Sequence, residues 1–275
     1  MDEEIKVLRE KGLAVAAKKA DRIAAEGKVA IKISEDGTKA AMIEVNCETD
    51  FAAKGDKFVS FMEKLLEIIL DKNPADVDAL LAASYDAENT VDDYLKKEVI
   101  NTIGENISIR RFTVVEGTLA SYVHGGGTIG VIVSAETTVA DVEAVKAVLK
   151  NAALQVAAMN PKYLDKDSVP ASAIDAEKEI LMAQINNDEK NANKPEAVKE
   201  KMIIGKIGKF YDTNCLTEQE YVKDDKVKVG AYVANEAKAL GGEIKLTGFV
   251  RYEKGEGIEK KEEDYAAEVA KLANN

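Results

Sequence analysis

The stretch Ile107-Ser108-Ile109-Arg110-Arg111-Phe112 returns as Ile244-Lys245-Leu246-Thr247-Gly248-Phe249, and each strand-like run closes on an acid and a glycine, Glu116-Gly117 and Glu256-Gly257. What precedes each copy also repeats. Ahead of the first lie Val29–Ser34 and Ala41–Cys47, two runs of strand formers around Asp36-Gly37, which reads as a hairpin. Ahead of the second lie Leu119–His124 and Thr128–Ser134, joined by Gly125-Gly126-Gly127. A helix follows each hairpin: Phe58–Leu70, with Phe58, Phe61, Met62, Leu65 and Ile69 on one face, and Val139–Met159. Hairpin, helix, excursion, returning strand occurs twice. The order predicts an α+β protein of two related subdomains with antiparallel sheets and flanking helices.

The second unit is longer. Residues 172–190 and 196–211 both read as helix, with Asn191–Lys194 and Pro195 between them, so an antiparallel coiled-coil hairpin or a simple packed helix pair is inserted there. Residues 3–26 predict a basic-faced helix carrying Ile5, Leu8 and Leu13, and 76–103 predict further helix. The run from Glu259 to Asp264 predicts the solvated start of a C-terminal helix with Tyr265, Val269 and Leu272 as its apolar stripe. The expected organisation is an N-terminal remnant and linker (1–27), a first core unit (28–117), and a second core unit (118–171 with 224–254). The hairpin (172–223) interrupts that second unit, and a C-terminal helical module (255–275) ends the chain.

Composition removes whole classes of chemistry. Fifty acidic against thirty-eight basic side chains leave a net charge of −12, which argues against direct binding of nucleic acid. With one histidine and no CxxC-type spacing for Cys47 and Cys215, no metal site and no cofactor are expected, and both thiols are expected to be reduced. No apolar run approaches a membrane span, and nothing directs the chain out of the cytoplasm. Gly125-Gly126-Gly127-Thr128-Ile129-Gly130 fits G-x-G-x-x-G, but a strand and not a helix follows, so the glycines read as a tight turn. Neither G-x-S-x-G nor GxxxxGK[ST] occurs, so no enzyme is expected. His124 beside the glycines is either a bystander or part of a contact surface.

One segment stands apart. Asn46-Cys47-Glu48-Thr49-Asp50-Phe51-Ala52-Ala53-Lys54 joins a strand directly to a helix. It allows two accounts: Thr49 or Asp50 caps the helix and Phe51 packs back as a staple, or Asp50 and Phe51 form an acidic-aromatic tip offered to a partner.

These residues resemble the elongation factor Ts family, bacterial guanine nucleotide exchange factors of elongation factor Tu. The resemblance is carried by Glu44-Val45-Asn46-Cys47-Glu48-Thr49-Asp50-Phe51, by Ile103-Gly104-Glu105-Asn106-Ile107-Ser108-Ile109-Arg110-Arg111 and by Tyr122-Val123-His124-Gly125. Lys194-Pro195-Glu196, Glu200-Lys201-Met202 and Gly255-Glu256-Gly257-Ile258-Glu259-Lys260 continue it in the family's order. Asp2 to Gly27 resembles the last helix of the family's small N-terminal module and the linker after it. The resemblance implies a factor that promotes GDP release from elongation factor Tu by displacing the magnesium at the partner's nucleotide. Thr49, Asp50, Phe51 and Ala52 would do this, Ala52 standing where the family has valine. It also implies that His124 and Gly125 touch a second domain of the partner beyond its G domain, and a homodimer is compatible with it. Two rival readings are a coiled-coil scaffold without exchange activity and a small-ligand enzyme using the Gly125–Gly127 loop.

Overall fold

The computed structural model describes residues 13–259. Residues 13–19 are helical (α1), with Ala16 buried. Chain reversal follows by residue 22, so the helix expected over 3–26 ends early and strand β1 (Glu26–Ile33) begins ahead of the expected Val29. The reason is the partner strand: Glu26 pairs with Cys47 at the far end of β2 (Lys39–Cys47), so the ladder runs the full length of the hairpin. Ile5 and Leu8, and the helix expected after Glu259, lie outside the described residues.

β2 is buried on both faces because both are covered. Ala41, Ile43, Val45 and Cys47 meet a helical layer formed mainly by α3 (Asp56–Lys72), which follows the short α2 (Asp50–Lys54) and brings Phe58, Phe61, Met62, Leu65 and Ile69 inward. The alternate residues Ala40 and Met42, with Val29 of β1, face a second sheet and pack on Leu119 and Ile132. β3 (Ser108–Glu116) completes the first sheet in the order β1-β2-β3.

The second sheet repeats this plan. β4 (Thr118–His124) and β5 (Ile129–Thr137) form the hairpin, and β8 (Ile244–Glu253) returns to β5 in the order β4-β5-β8. Its outer face carries α7 (Val142–Met159), whose Val145, Leu149, Ala152 and Val156 pack on Val131, Val133 and Ala135. The layers are therefore helix, sheet, sheet, helix. The repetition extends to a defect in the ladder. The β2–β3 register passes from Glu44↔Arg111 to Val45↔Ile109, leaving Arg110 as the extra residue, and the β5–β8 register passes from Ser134↔Gly248 to Ala135↔Leu246, leaving Thr247. Arg110 and Thr247 occupy the same place in the repeated hexapeptides. A bulge therefore falls at one position of both copies.

Elsewhere the structure corrects the expectations. The segment 76–103 is not one helix. α4 (Val77–Ala82) stops, and α5 (Val91–Tyr94) restarts and passes through a π turn (Leu95–Ile100) into α6 (Asn101–Ile103). The interruption has a local cause: the Asp86 carboxylate accepts from the Glu88 and Asn89 amides, both at 2.8 Å, an alternative to helix hydrogen bonding. The helices expected at 172–190 and 196–211 span Ala171–Asn187 (α8) and Glu196–Asn214 (α9), packed through Leu181, Ile185, Ile203 and Ile207. The hairpin of β6 (Glu220–Tyr221) and β7 (Asp224–Lys228) and the helix α10 (Val229–Ala239) were not foreseen; Val229, Val233 and Ala237 of α10 add to the second core.

Both cysteines are free and buried. Burial pushes the Cys47 thiol up to about 12 and the Cys215 thiol up to about 11. Thiolate is the reactive form. Neither thiol should therefore react with an aromatic disulfide reagent at pH 8 in the native protein, and both should react in denaturant. Rapid labelling of folded protein would contradict this packing.

Candidate functional site

The candidate residues Thr49 to Ala52 sit where β2 leaves the sheet. β2 ends on Cys47, whose Sγ donates to the Thr49 carbonyl at 3.1 Å. Thr49 is the cap: its backbone is extended, and its hydroxyl accepts from the Ala52 N–H at 3.2 Å. Ala53 is the buried residue of α2 and anchors it to the first core. Asp50 and Lys54, one turn apart, form an ion pair at 2.6 Å, and this hydrogen bond holds the Asp50 carboxyl below its ordinary range.

Phe51 does not staple the helix. It is 82% exposed, whereas the other five phenylalanines are buried or half-buried. The staple fails because α2 is only five residues long, with Ala53 as its single buried side chain and Gly55 already starting the next helix. Burying a phenylalanine is worth about 1.5–3 kcal/mol, and this fold leaves that energy unused.

The base of the tip is held from the opposite loop. The Glu105 carboxylate accepts from the Glu48 amide at 3.1 Å, the Thr49 amide at 2.9 Å and the Thr49 hydroxyl at 2.6 Å. In return the Glu48 carboxylate accepts from the Asn106 amide at 2.6 Å. Asn106 also donates through its side chain to the Arg22 carbonyl at 2.7 Å, so three segments meet below the tip. Spacing alone could not find this arrangement. Glu105 and Thr49 are 56 positions apart, and the one available signal was that both lie in stretches that carried the resemblance.

Below the same end of β2, Glu44 is fully buried within the sheet. Arg110 and Arg111 reach it at 3.0 and 2.6 Å, and the Gly255 amide donates to it at 2.7 Å. The bulge at Arg110 explains why two successive arginines can serve one carboxylate. Burial alone would raise the Glu44 pKa, but the Gly255 amide and the two guanidiniums outweigh it and hold the carboxyl below its ordinary value.

His124 and Gly125 lie on the β4–β5 turn, and both are exposed. The His124 Nδ1 is 3.0 Å from the Tyr122 hydroxyl. Gly125, Gly126 and Gly127 all have positive φ, at 58°, 65° and 109°, a conformation that side-chained residues rarely adopt; this is a turn and not a phosphate loop. The Gly127 carbonyl accepts from the Val29 amide at 2.8 Å. The turn is thereby docked on β1 near Glu26, the partner of Cys47, so both candidate patches lie toward the same end of β1.

A groove of about 430 Å³ between α3 and β1 is bordered by this turn. Val59, Met62 and Leu66 line it, and its charged rim is partly neutralised by the Lys32–Glu67 pair at 2.8 Å. Its lining holds no cysteine, serine or histidine, and its ionisable groups are Lys28, Lys32, Glu63 and Glu67. Among the described residues no cluster of metal ligands occurs, and no helix is long and apolar enough to cross a membrane.

Residues 48–256 match the family model described as Elongation factor TS, a class of translation elongation factors. The chain is 47% identical over 272 residues to the elongation factor Ts of Clostridium kluyveri, covering 97% of this chain and 87% of that one. It is 48% identical over 276 residues to that of a Nitratiruptor species (98% and 88% covered) and 45% identical over 279 residues to that of Symbiobacterium thermophilum (99% and 88% covered). The chain belongs to the elongation factor Ts family.

Proposed function

We propose that this protein binds elongation factor Tu in its GDP-bound form and promotes GDP release, allowing GTP to reload, with Asp50 and Phe51 acting on the G domain. It does so as a binding protein and not as an enzyme. The observation that carries this reading is Phe51, held out at 82% exposure on a short helix whose base is hydrogen-bonded on several sides. The energetics follow from linkage. A factor that favours the nucleotide-free partner weakens nucleotide binding by the same ratio, and a 10⁴-fold effect needs about 5.5 kcal/mol of differential interaction. Burying Phe51 in the partner supplies about 1.5–3 kcal/mol of this, so the wedge is a major term but not the whole. Losing the geometry of the partner's magnesium, which bridges phosphate oxygens in such GTPases, would supply another part. In this reading 28–117 and 118–171 with 224–254 act as two halves of one core, 172–223 as an arm and 255–275 as a terminal module.

Stopped-flow release of a fluorescent GDP from elongation factor Tu tests the proposal. Release should accelerate and saturate with added protein. Binding without acceleration would favour a scaffold.

His124 is proposed to contact a second domain of the partner. Since its side chain is exposed and rests against Tyr122, while its backbone bonds survive substitution, His124→Ala should weaken complex formation about threefold to tenfold while leaving the melting temperature unchanged. A lowered melting temperature with unaltered affinity would assign it a structural role.

A further inference from the structure

We propose that Glu105 is a positioning residue for nucleotide exchange, its carboxylate fixing the direction in which Thr49 launches the helix that carries Phe51. The inference rests on the reading of Phe51 as the exchange group. Three donors converge on Glu105: the Glu48 and Thr49 amides and the Thr49 hydroxyl, the last at 2.6 Å. The hydroxyl bond matters most. By donating to Glu105, the Thr49 hydroxyl turns a lone pair toward the Ala52 amide, which it accepts at 3.2 Å. One carboxylate thus orients both the backbone before α2 and the cap that starts it.

The geometry separates positioning from stability. Thr49 is exposed and Glu105 half-buried, so water can replace these bonds when the carboxylate is removed. The fold itself stands on the core beneath, where Cys47 and Ala53 are buried. Water, however, imposes no direction. α2 has five residues, far below the length at which a helix holds its own geometry, so without Glu105 the tip samples several orientations. The loop bearing Glu105 is itself fixed from two sides. Asn106 donates to the Glu48 carboxylate at 2.6 Å and to the Arg22 carbonyl at 2.7 Å, and Lys19 donates to the Gly104 carbonyl. The chain just after α1 is therefore fastened to the loop that aims Phe51.

The test compares Glu105→Ala, Glu105→Gln and Phe51→Ala in titrated release of fluorescent GDP from elongation factor Tu, with melting curves for each. Misplacing a reacting group by about an ångström carries a large rate penalty, so Glu105→Ala should lower the maximal stimulated rate about tenfold. Its half-saturating concentration and melting temperature should stay near those of the parent. Glu105→Gln keeps the length and one acceptor but presents an NH₂ to a donor, so its maximal rate should fall between the two. Amide exchange at Glu48 and Thr49 should quicken in both Glu105 variants. An unchanged maximal rate in both, with Phe51→Ala slow, overturns the positioning role and leaves the exchange reading standing. A raised half-saturation with lowered melting and unchanged maximal rate also overturns it, in favour of simple stabilisation. Full activity of Phe51→Ala overturns the exchange reading and this inference with it.

Discussion

Phe51→Ala should slow stimulated GDP release by about tenfold to a hundredfold, because about 1.5–3 kcal/mol of side-chain burial in the partner is lost and each 1.4 kcal/mol is a factor of ten. The protein itself should be unaffected. Phe51 has little folded-state packing to lose at 82% exposure, and the Lys54 ammonium is as far as 6.0 Å from the ring centroid. Circular dichroism and melting should therefore match the parent, while the release rate at saturating protein falls. Phe51→Leu, which keeps most of the apolar area, should recover much of the rate. Parent-like release by Phe51→Ala would mean that the exposed ring takes no part in exchange.

The second large effect concerns stability. Glu44→Ala should lower the melting temperature by roughly 6–12 °C: breaking a buried ion pair costs about 3–5 kcal/mol, and each kcal/mol shifts a chain of this size by about 2–4 °C. The lower end of the cost applies, since the side chains of Arg110 and Arg111 are 28% and 31% exposed and can be rehydrated when the carboxylate is gone. What the change also undoes is a joint between the two sheets. Glu44 lies in the first sheet and Gly255 lies two residues beyond the last strand of the second, while the Arg111 guanidinium stacks 4.1 Å from the Tyr252 ring of that strand. Gly255 has φ +69°, and a Cβ on it would lie 2.2 Å from the Ala25 carbonyl oxygen, so the close approach demands glycine. The pH dependence has a definite sign. Because the Glu44 carboxyl is held below its unfolded value of about 4.3, its contribution is fully present above that pH and is lost as the pH falls through the folded pKa. Parent protein should lose stability below about pH 4.5 more steeply than Glu44→Gln, which has no such proton to bind. Denaturant titrations between pH 3 and 7 check this. Parallel curves for the two proteins would remove Glu44 from the acid response.

Much of the fold was legible in the sequence because much of it is local. The hairpins at Asp36-Gly37 and Gly125–Gly127 follow from turn chemistry, and the buried face of α3 follows from the spacing of Phe58, Phe61, Met62, Leu65 and Ile69. The repeated hexapeptides carried the most information, since they imply two like sheets and align the bulged residues Arg110 and Thr247. Thr49 as one of two candidate caps and the two alternatives for Phe51, packed back or offered to a partner, were also readable, but not the choice between them. That choice needed the number of turns in α2 and the absence of a wall for Phe51 to lie against, and neither is a property of residues 46–54 alone.

Periodicity and turn chemistry thus determined the two hairpins, the returning strands, the main helices with their inward faces, and the place of Thr49–Ala52 between β2 and α3. Tertiary structure alone decided how the tip is held and how the sheets are locked. In Met42-Ile43-Glu44-Val45 the glutamate reads as an ordinary polar residue of a strand, yet it is buried because two guanidiniums and the Gly255 amide meet it there. Glu105 likewise reads as a loop acid until residues 56 positions upstream fold back onto it. Local patterns report what a residue's immediate neighbours favour. Hydrogen bonds between distant loops depend on where whole layers come to rest, and the spacing of residues along the chain carries no record of that.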